Sequence, residues 1–234
     1  SKFGLKKLDQ YDNIDILKKR VFDISAITNK RVSIHFNDSK INCKDFSDYI
    51  SYYIGPKSKS PRVYYENDNW EIGVALSSND CFQQVSFVNG ISTTDGGSHI
   101  DHVILPIMKR CTDEIQAKHK NITVKQQYVK DSLFIFVNCK IHNPTFSSQT
   151  KDKHTTRVSE FGSKIVITDD LIKKILKLGF VDSLLAVAEA KEKKSLSKTD
   201  GKKVVRLSIP KLDDANKACL LYTSPSPRRR TPIS

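Results

Sequence analysis

The chain has 234 residues, of which 38% are hydrophobic, and a formal net charge of +13 at pH 7. This composition is typical of a folded globular protein and excludes a chain that is disordered throughout, while the positive charge favours a polyanionic partner. No apolar run is longer than about five residues, so the sequence predicts no membrane-spanning helix, which needs roughly 18–20. The five cysteines form no Cys-x-x-Cys pair, which argues against a zinc cluster and fits a reducing compartment.

The first predicted elements are a helix and a short strand. Asp12 or Asn13 can cap the helix, because Asp and Asn side chains accept hydrogen bonds from the first helical turn. Apolar residues recur at helical spacing and are predicted to face inward: Ile14, Leu17, Val21 and Ile24. A short strand at 31–36 then leads into a turn at 37–39.

A second amphipathic helix follows and ends at strong helix breakers. Its predicted inward residues are Phe46, Tyr49, Ile50 and Tyr53. Gly55 and Pro56 end the helix, and residues 57–61 have the composition of a linker. The sequence therefore places its clearest domain boundary near residue 60.

The middle of the chain is predicted to hold a β-hairpin. Apolar residues alternate with smaller or polar ones between positions 70 and 77, which is the period of a half-buried strand. The apolar set is Trp70, Ile72, Val74 and Leu76. Asn79 and Asp80 make a turn into a second strand at 82–88, and the two strands are predicted to pair with each other as antiparallel neighbours.

A long helix and a central strand come next. A polar loop at 89–97 precedes the helix, which Ser98 can cap, with Asp101 three residues further on. The helix is predicted to bury one stripe of residues: Ile100, Val103, Ile104, Ile107, Met108, Cys111 and Ile115. Residues 133–141 then form a nearly continuous apolar strand, typical of the centre of a sheet.

The last predicted elements are a strand at 163–167 and a helix. Thr168 caps the helix, and Asp169 and Asp170 favour the positive end of its dipole. Helical character continues to about residue 194 and is interrupted or bent near Gly179, in a region that runs into many cations. The mixture of strands and helices predicts the α+β class.

Residues 143–153 are the most informative segment of the chain. Asn143 and Pro144 start a turn, because the residue before a proline is disfavoured in helix. Gln149, Thr150 and Lys151 then offer an amide, a hydroxyl and a mobile cation within three residues, which suits contact with a phosphate group. The alternative is a solvated loop whose lysine contacts nothing.

Four segments, in order along the chain, match the pattern of one known family. They are Ser1-Lys2-Phe3-Gly4-Leu5 with the helix after it; Phe82 to Asn89 followed by Gly96-Gly97-Ser98-His99; Gln149-Thr150-Lys151; and Ile209-Pro210-Lys211-Leu212-Asp213-Asp214-Ala215-Asn216-Lys217-Ala218. Together these segments resemble the type IIA DNA topoisomerases, in their eukaryotic-type topoisomerase II branch.

The resemblance implies a fold and an order of domains. Residues 1–60 resemble the C-terminal part of a GHKL ATPase domain. Residues 61–195 resemble a transducer domain, with a ribosomal protein-like βαβ sheet, a long packed helix and a C-terminal connecting helix. Residues 196–218 resemble the linker into a Toprim domain, whereas residues 219–234 resemble a translated sequencing adapter. The native chain is therefore expected to continue differently after Ala218.

The resemblance also implies a function. The family couples ATP binding and hydrolysis to the passage of one DNA duplex through a transient double-strand break in another, as a homodimer that requires Mg²⁺. Lys151 is implied to meet the terminal phosphate of ATP, with Gln149 and Thr150 beside it. No catalytic residue or metal ligand is expected within this chain, because the family's catalytic tyrosine and most of its ATP and Mg²⁺ ligands correspond to segments outside it.

The resemblance also implies a binding partner and a cellular location. The expected partner is double-stranded DNA and the expected location is the nucleus, with the cytoplasm or a virus as alternatives. Two other functions stay open: a GHKL-superfamily ATPase with a transducer but no DNA cleavage, and a basic module that only binds nucleic acid.

A basic segment after the long helix is the predicted DNA contact. Lys118, Lys120 and Lys125 resemble the lysine-rich loop through which eukaryotic topoisomerase II contacts DNA. This loop is shorter than the family pattern, and Gln116 and Ala117 stand where lysines are expected. A solvated basic turn is the alternative.

His99 and His102 flank Asp101 and are considered as metal ligands. No further ligand lies at a workable spacing, which argues against a metal site. His99 is expected instead to pack and to form a hydrogen bond.

Overall fold

The computed structural model describes residues 11–29, 31–79, 81–120, 123–182 and 184–188. They lie within the first of two units into which the chain divides, residues 1–190. Four predicted features fall outside the described residues: positions 1–5, the cation-rich part from 191 to 206, the segment 209–218 and the tail 219–234.

Helix α1 (Tyr11–Ile27) differs from its prediction at its start and in the side that it buries. Asp12 and Asn13 lie inside the helix, so neither of them caps it. The predicted inward face is wrong, since three of its residues are well exposed: Ile14 (38%), Leu17 (60%) and Ile24 (38%). The helix instead buries Asp23, whose carboxylate accepts a 2.6 Å hydrogen bond from Tyr49 Oη. The helix also buries Ala26, and Phe22 and Ile27 pack beside it in the same apolar cluster as Phe87, so its inward side differs from the predicted one.

A small hairpin follows in place of the longer strand predicted at 31–36. It consists of β1 (His35–Phe36) and β2 (Ser39–Lys40), paired antiparallel. Asn37 and Asp38 form the predicted turn with φ of 46° and 63°. Asn and Asp tolerate this left-handed conformation better than most side chains, which explains why the turn was recognisable.

Helix α2 (Phe46–Ile54) has both of its ends defined by the sequence. Asp45 is the N-cap, and its carboxylate accepts a 2.8 Å hydrogen bond from Asp48 N. Gly55 ends the helix at φ 85°, as predicted. Three of the four predicted inward residues are buried, Phe46, Tyr49 and Ile50. The fourth, Tyr53, is 41% exposed; its ring makes edge-to-face contacts with Phe134 and Phe136, and its hydroxyl lies 2.9 Å from that of Tyr49.

A mixed sheet with the order β3-β4-β7-β5-β6 lies at the centre. Its strands are β3 (Arg62–Glu66), β4 (Trp70–Leu76), β5 (Gln83–Val88), β6 (Ile91–Ser92) and β7 (Leu133–Cys139). β7 pairs antiparallel with β4 and parallel with β5, so the prediction that this apolar strand is central is confirmed.

The predicted hairpin of β4 with β5 is wrong. β7 lies between these two strands, and the actual hairpins are β3 with β4 and β5 with β6. An apolar strand needs neighbours on both edges and cover on both faces, and that requirement outweighed the short turn at 79–80. β3 was missed because its sequence adjoins the linker-like residues 57–61.

Three further helices complete the fold: α3 (Ser98–Lys118), α4 (Gln126–Asp131) and α5 (Asp169–Leu176). The whole predicted stripe of α3 is buried, whereas α4 was not predicted. Thr168 caps α5 as predicted, accepting a hydrogen bond from Leu171 N. The strand predicted at 163–167 is wrong, since this segment joins no sheet, although Ile165 and Ile167 are buried.

The sheet is covered on both faces, so β4 is more than the half-buried strand predicted. α3 and α5 pack against one face, which includes Ile72 and Ile135. α1 and α2 lie over the other face, which includes Phe87, Phe134 and Phe136. The α+β prediction is thereby confirmed as three layers. No helix in the described part of the chain is long and apolar enough to cross a membrane.

We expect Gly73→Ala to reveal how closely α2 approaches the sheet. A Cβ on Gly73 would lie 2.4 Å from Ile50 Cδ1, so the substitution should destabilise the fold by about 1–3 kcal/mol. Ile50→Val removes that atom, and Gly73→Ala should cost less in this background. Urea unfolding followed by the fluorescence of Trp70, the single tryptophan, measures both costs. Equal costs in the two backgrounds would contradict the contact.

Candidate functional site

The segment after β7 forms a loop with two paired arms. Ser147 N donates to Lys153 O at 3.0 Å, and Thr155 N donates to Thr145 O at 2.9 Å. The arms place Gln149–Lys151 at the tip, where all three side chains are exposed. The two-armed loop from 143 to 156 is called the lysine loop below.

The tip of the lysine loop holds Lys151 in an uncommon backbone conformation. Its φ is 63°, the left-handed region that few side chains other than Asn or Asp adopt, and its N–H donates to Ser148 O at 3.2 Å. The ammonium lies 5.7 Å from the centre of the Phe146 ring, and it forms no ion pair with any residue that the structure describes. Thr150, by contrast, donates to the Asp152 carboxylate. Lys151 is therefore the free cation of this tip.

The C-terminal arm of the loop is fastened to the start of α3. His154 N donates to Gly96 O at 2.9 Å, and Ser98 N donates to His154 O at 3.1 Å. Ser98 Oγ and His154 Nδ1 are 2.9 Å apart and share a further hydrogen bond. We call Gly96, Gly97, Ser98 and His154 the clasp.

The clasp corrects the predicted start of α3. Gly97, not Ser98, is the N-cap, and no side chain caps the helix there. Ser98 is the first helical residue, and the main-chain carbonyl of His154 accepts from its N–H. A backbone N–H at a helix start has no partner inside the helix, so the lysine loop supplies one.

Gly97 is required because two backbone segments meet at the clasp. Its φ is 127°, and a Cβ there would lie 2.1 Å from His154 O. Only glycine fits such a conformation and such an approach. From the sequence, Gly96 and Gly97 belonged to a polar loop and to a segment that matches the family pattern; the structure shows that this loop and the lysine loop form one unit.

A second pair of contacts lies nearer the tip. Asp95 N donates to Asp152 O at 3.0 Å, and Thr94 Oγ1 donates to an Asp152 carboxylate oxygen at 3.4 Å. The residue next to Lys151 is thus attached to the same glycine-bearing loop as the clasp. Sequence reasoning missed Asp152 and His154, since only their contacts to distant residues mark them.

Three histidines lie in or near the clasp: His99 and His154 are buried, and His102 is half-buried. His99 is fully buried and its Nε2 is 3.1 Å from Thr93 Oγ1, so the predicted packing and hydrogen bonding of His99 are confirmed. Burial and the neighbouring His154 lower the pKa of His99 to about 3, and burial also lowers the pKa of His102 and of His154. Within the described ranges no group of three or more His, Cys, Asp or Glu is suited to a metal ion.

The buried histidines predict that the fold weakens as the pH falls. In the unfolded chain His99 binds a proton below its ordinary pKa of 6.5. In the folded chain the pKa of His99 is about 3, so it stays neutral until the pH is much lower. Stability should therefore fall with pH across this window, by about 2 kcal/mol from His99 between pH 7.5 and 5. Urea unfolding at both pH values measures the loss. If His99→Gln showed the same loss as the unaltered chain, His99 would not be its source.

The predicted DNA-contacting lysines are exposed near the far end of α3. Lys118 lies in its last turn, Lys120 follows the helix, and Lys125 precedes α4. Lys118 also lines a groove of about 440 Å³ with three lysines that the sequence reading did not select, Lys173, Lys174 and Lys177 of α5. Their spacing along the predicted helix could have indicated from the sequence that they share one face. Lys118 thus lies in a groove with the α5 lysines, whereas Lys120 and Lys125 do not line that groove.

Comparison with known proteins identifies a family and several relatives of this chain. A family model for DNA gyrase B matches residues 42–203. The DNA topoisomerase 2 of Arabidopsis thaliana is 42% identical over 224 residues, covering 93% of this chain and 15% of that protein. The chain therefore spans about 15% of the length of this relative.

Two solved structures share the fold along most of the chain. The ATPase region of Saccharomyces cerevisiae topoisomerase II superposes with a TM-score of 0.71 and 34% identity, covering 80% of this chain and 47% of that one. The ATPase and transducer domains of Balamuthia mandrillaris DNA topoisomerase II give a TM-score of 0.74 and 32% identity, covering 81% and 47%. The family match extends over more than half of the residues, and this chain therefore belongs to the DNA gyrase B family of type IIA DNA topoisomerases.

Proposed function

We propose that this chain is the ATP-sensing and coupling segment of an ATP-dependent type II DNA topoisomerase. The observation that carries the proposal is the exposed, unpaired Lys151 at the tip of a loop held from behind. In the proposed domain order, residues 1–60 end a GHKL ATPase domain, 61–195 form the transducer, and 196–218 lead into a Toprim domain. Residues 219–234 are proposed to be adapter-derived.

The residues at the loop tip fit a phosphate group. Lys151 offers a compact, mobile positive charge, and no carboxylate in the described part of the chain neutralises it. Gln149 adds an amide donor beside it, and the Thr150 hydroxyl is held by Asp152. ATP, when bound by the neighbouring domain, supplies the terminal phosphate. Lys151 then favours the closed arrangement while that phosphate is present and releases it after the phosphate is lost.

Mg²⁺ is proposed to be held by parts of the enzyme outside this chain. The loop tip carries one carboxylate, Asp152, which is already bonded to Thr150 and Thr94. Magnesium sites use carboxylates together with substrate phosphates, and the described tip offers no free carboxylate for that purpose. The chain's own contribution is therefore the cation and not the metal site.

The whole enzyme is proposed to act as a homodimer in the nucleus, on double-stranded DNA. ATP-dependent decatenation of linked DNA circles by the full-length protein tests this activity directly. Decatenation that requires ATP is the expected result. Salt-sensitive DNA binding without any ATP-dependent strand passage would favour the basic nucleic-acid module instead.

The lysines at the far end of α3 are proposed to contact DNA phosphates. Each phosphate contact adds about 0.9 to the slope of log affinity against log salt, so replacing Lys118, Lys120 and Lys125 by alanine should lower the slope by roughly 2–3. A variant with Lys40, Lys57 and Lys59 replaced loses the same charge from other exposed positions and should change the slope little. Equal changes in both variants would show a general charge effect without a DNA site.

A further inference from the structure

Ser98 of helix α3 and His154 of the lysine loop connect these two elements. His154 is 1% exposed and is bonded on both sides of its backbone, to Gly96 and to Ser98. Its side chain adds the bond to Ser98 Oγ. A residue held at three points has little freedom, and Lys151 lies only three positions away along the same arm.

The free cation depends on the contacts of its arm, because the tip itself makes few. The tip residues are exposed, and the contacts of Lys151 itself are the Ser148 carbonyl and the distant Phe146 ring. Ser147 pairs the two arms of the loop through Lys153, and two contacts attach the arm to the loop before α3: Asp152, through Asp95, and the clasp. Precise placement of a charge depends on such supporting contacts, since a small displacement weakens its action on a reacting phosphate.

We propose that Ser98 and His154 are positioning residues for Lys151, and that the clasp joins movement of the lysine loop to α3. The proposal rests on the proposed function of Lys151. Ser98 is the first residue of α3, which spans 21 residues and ends at Lys118. A helix of that length is about 31 Å long, so the clasp connects the phosphate-sensing tip to the proposed DNA-contacting end.

The test is a double-mutant cycle on ATP hydrolysis by the full-length protein. Ser98→Ala removes the hydroxyl and keeps the helix, because alanine is well tolerated at a first helical position. We expect about a tenfold lower kcat with an unchanged KM, the size of effect that one lost hydrogen bond produces. Ser98→Thr keeps a hydroxyl and should restore turnover.

The cycle separates positioning from a merely structural role. If Ser98 acts through Lys151, adding Ser98→Ala to Lys151→Ala should cost nothing further. His154→Asn places an amide near the position of Nδ1 and should retain much more activity than His154→Ala. Ser159→Ala, at an exposed serine of the 3₁₀ turn Val158–Glu160, is the matched control and should leave turnover unchanged.

The outcomes distinguish failure of the proposed function from failure of the clasp proposal. Normal turnover in Lys151→Ala would overturn the proposed function and the clasp proposal with it. A strong loss in Lys151→Ala with wild-type kcat in Ser98→Ala would overturn the clasp alone. A Ser98→Ala loss that persists in full in the Lys151→Ala background would also overturn it, because the two residues would then act independently.

Discussion

Lys151→Ala in the full-length protein is expected to lower ATP turnover by about 10²–10³-fold and to abolish strand passage. The size follows from the loss of one preorganised charge at the site where negative charge develops during phosphoryl transfer. The other two residues of the tip, Gln149 and Thr150, carry no charge and cannot replace the lysine. Steady-state ATP hydrolysis and decatenation, measured on the same preparation, report the two losses.

Lys153→Ala is the matched control for this prediction. Lys153 is also an exposed lysine of the loop, but it belongs to the paired arm, where its carbonyl accepts from Ser147 N. The substitution removes the same charge and leaves that backbone bond, so turnover should stay within about twofold of the unaltered protein. Similar losses in Lys151→Ala and Lys153→Ala would contradict a specific role for Lys151.

Gly97→Ala is expected to open the clasp. The new Cβ would lie 2.1 Å from His154 O and 2.8 Å from His154 N. Both are backbone atoms, so no side-chain rotation can relieve the overlap. Steric overlap and the strained φ of 127° together should destabilise the chain by about 2–4 kcal/mol. Urea unfolding gives the loss of stability, and hydrogen exchange of residues 143–156 should show faster exchange across the whole lysine loop.

Gly179→Ala separates the overlap from the backbone strain. Gly179 also has a positive φ, 94°, but a Cβ there meets nothing within 4 Å. Its substitution should cost about 1–2 kcal/mol, and exchange in the lysine loop should not change. If the two variants lost equal stability and left the loop equally protected, the close approach at the clasp would be wrong.

Local chemistry made several elements of this fold predictable. Thr168 and Gly55 mark helix ends through capping and through positive φ, and both were recognised from sequence. The stripe of α3 was readable because seven apolar residues recur at helical spacing. Strand pairing was not readable in this way: β7 lies between β4 and β5 although some 45 residues separate it from the end of β5 along the chain.

The lysine at the tip of the candidate site could be predicted from the sequence, whereas the residues that support it could not. Lys151 stood out because an amide, a hydroxyl and a cation follow one another in a polar loop. The clasp joins Ser98 to His154 across 56 positions, and no local pattern reports such a contact. The inward side of α1 was also misread, since it includes Asp23, and the hydrogen bond of Asp23 to Tyr49 of another helix leaves no local pattern in the sequence.

The most direct measurement is a structure of the full-length protein with a non-hydrolysable ATP analogue. We expect Lys151 Nζ to leave the Phe146 ring and to lie about 2.7–2.9 Å from an oxygen of the terminal phosphate, with the clasp intact. A terminal phosphate bound by other cations, with Lys151 still over Phe146, would show that Lys151 does not sense the nucleotide.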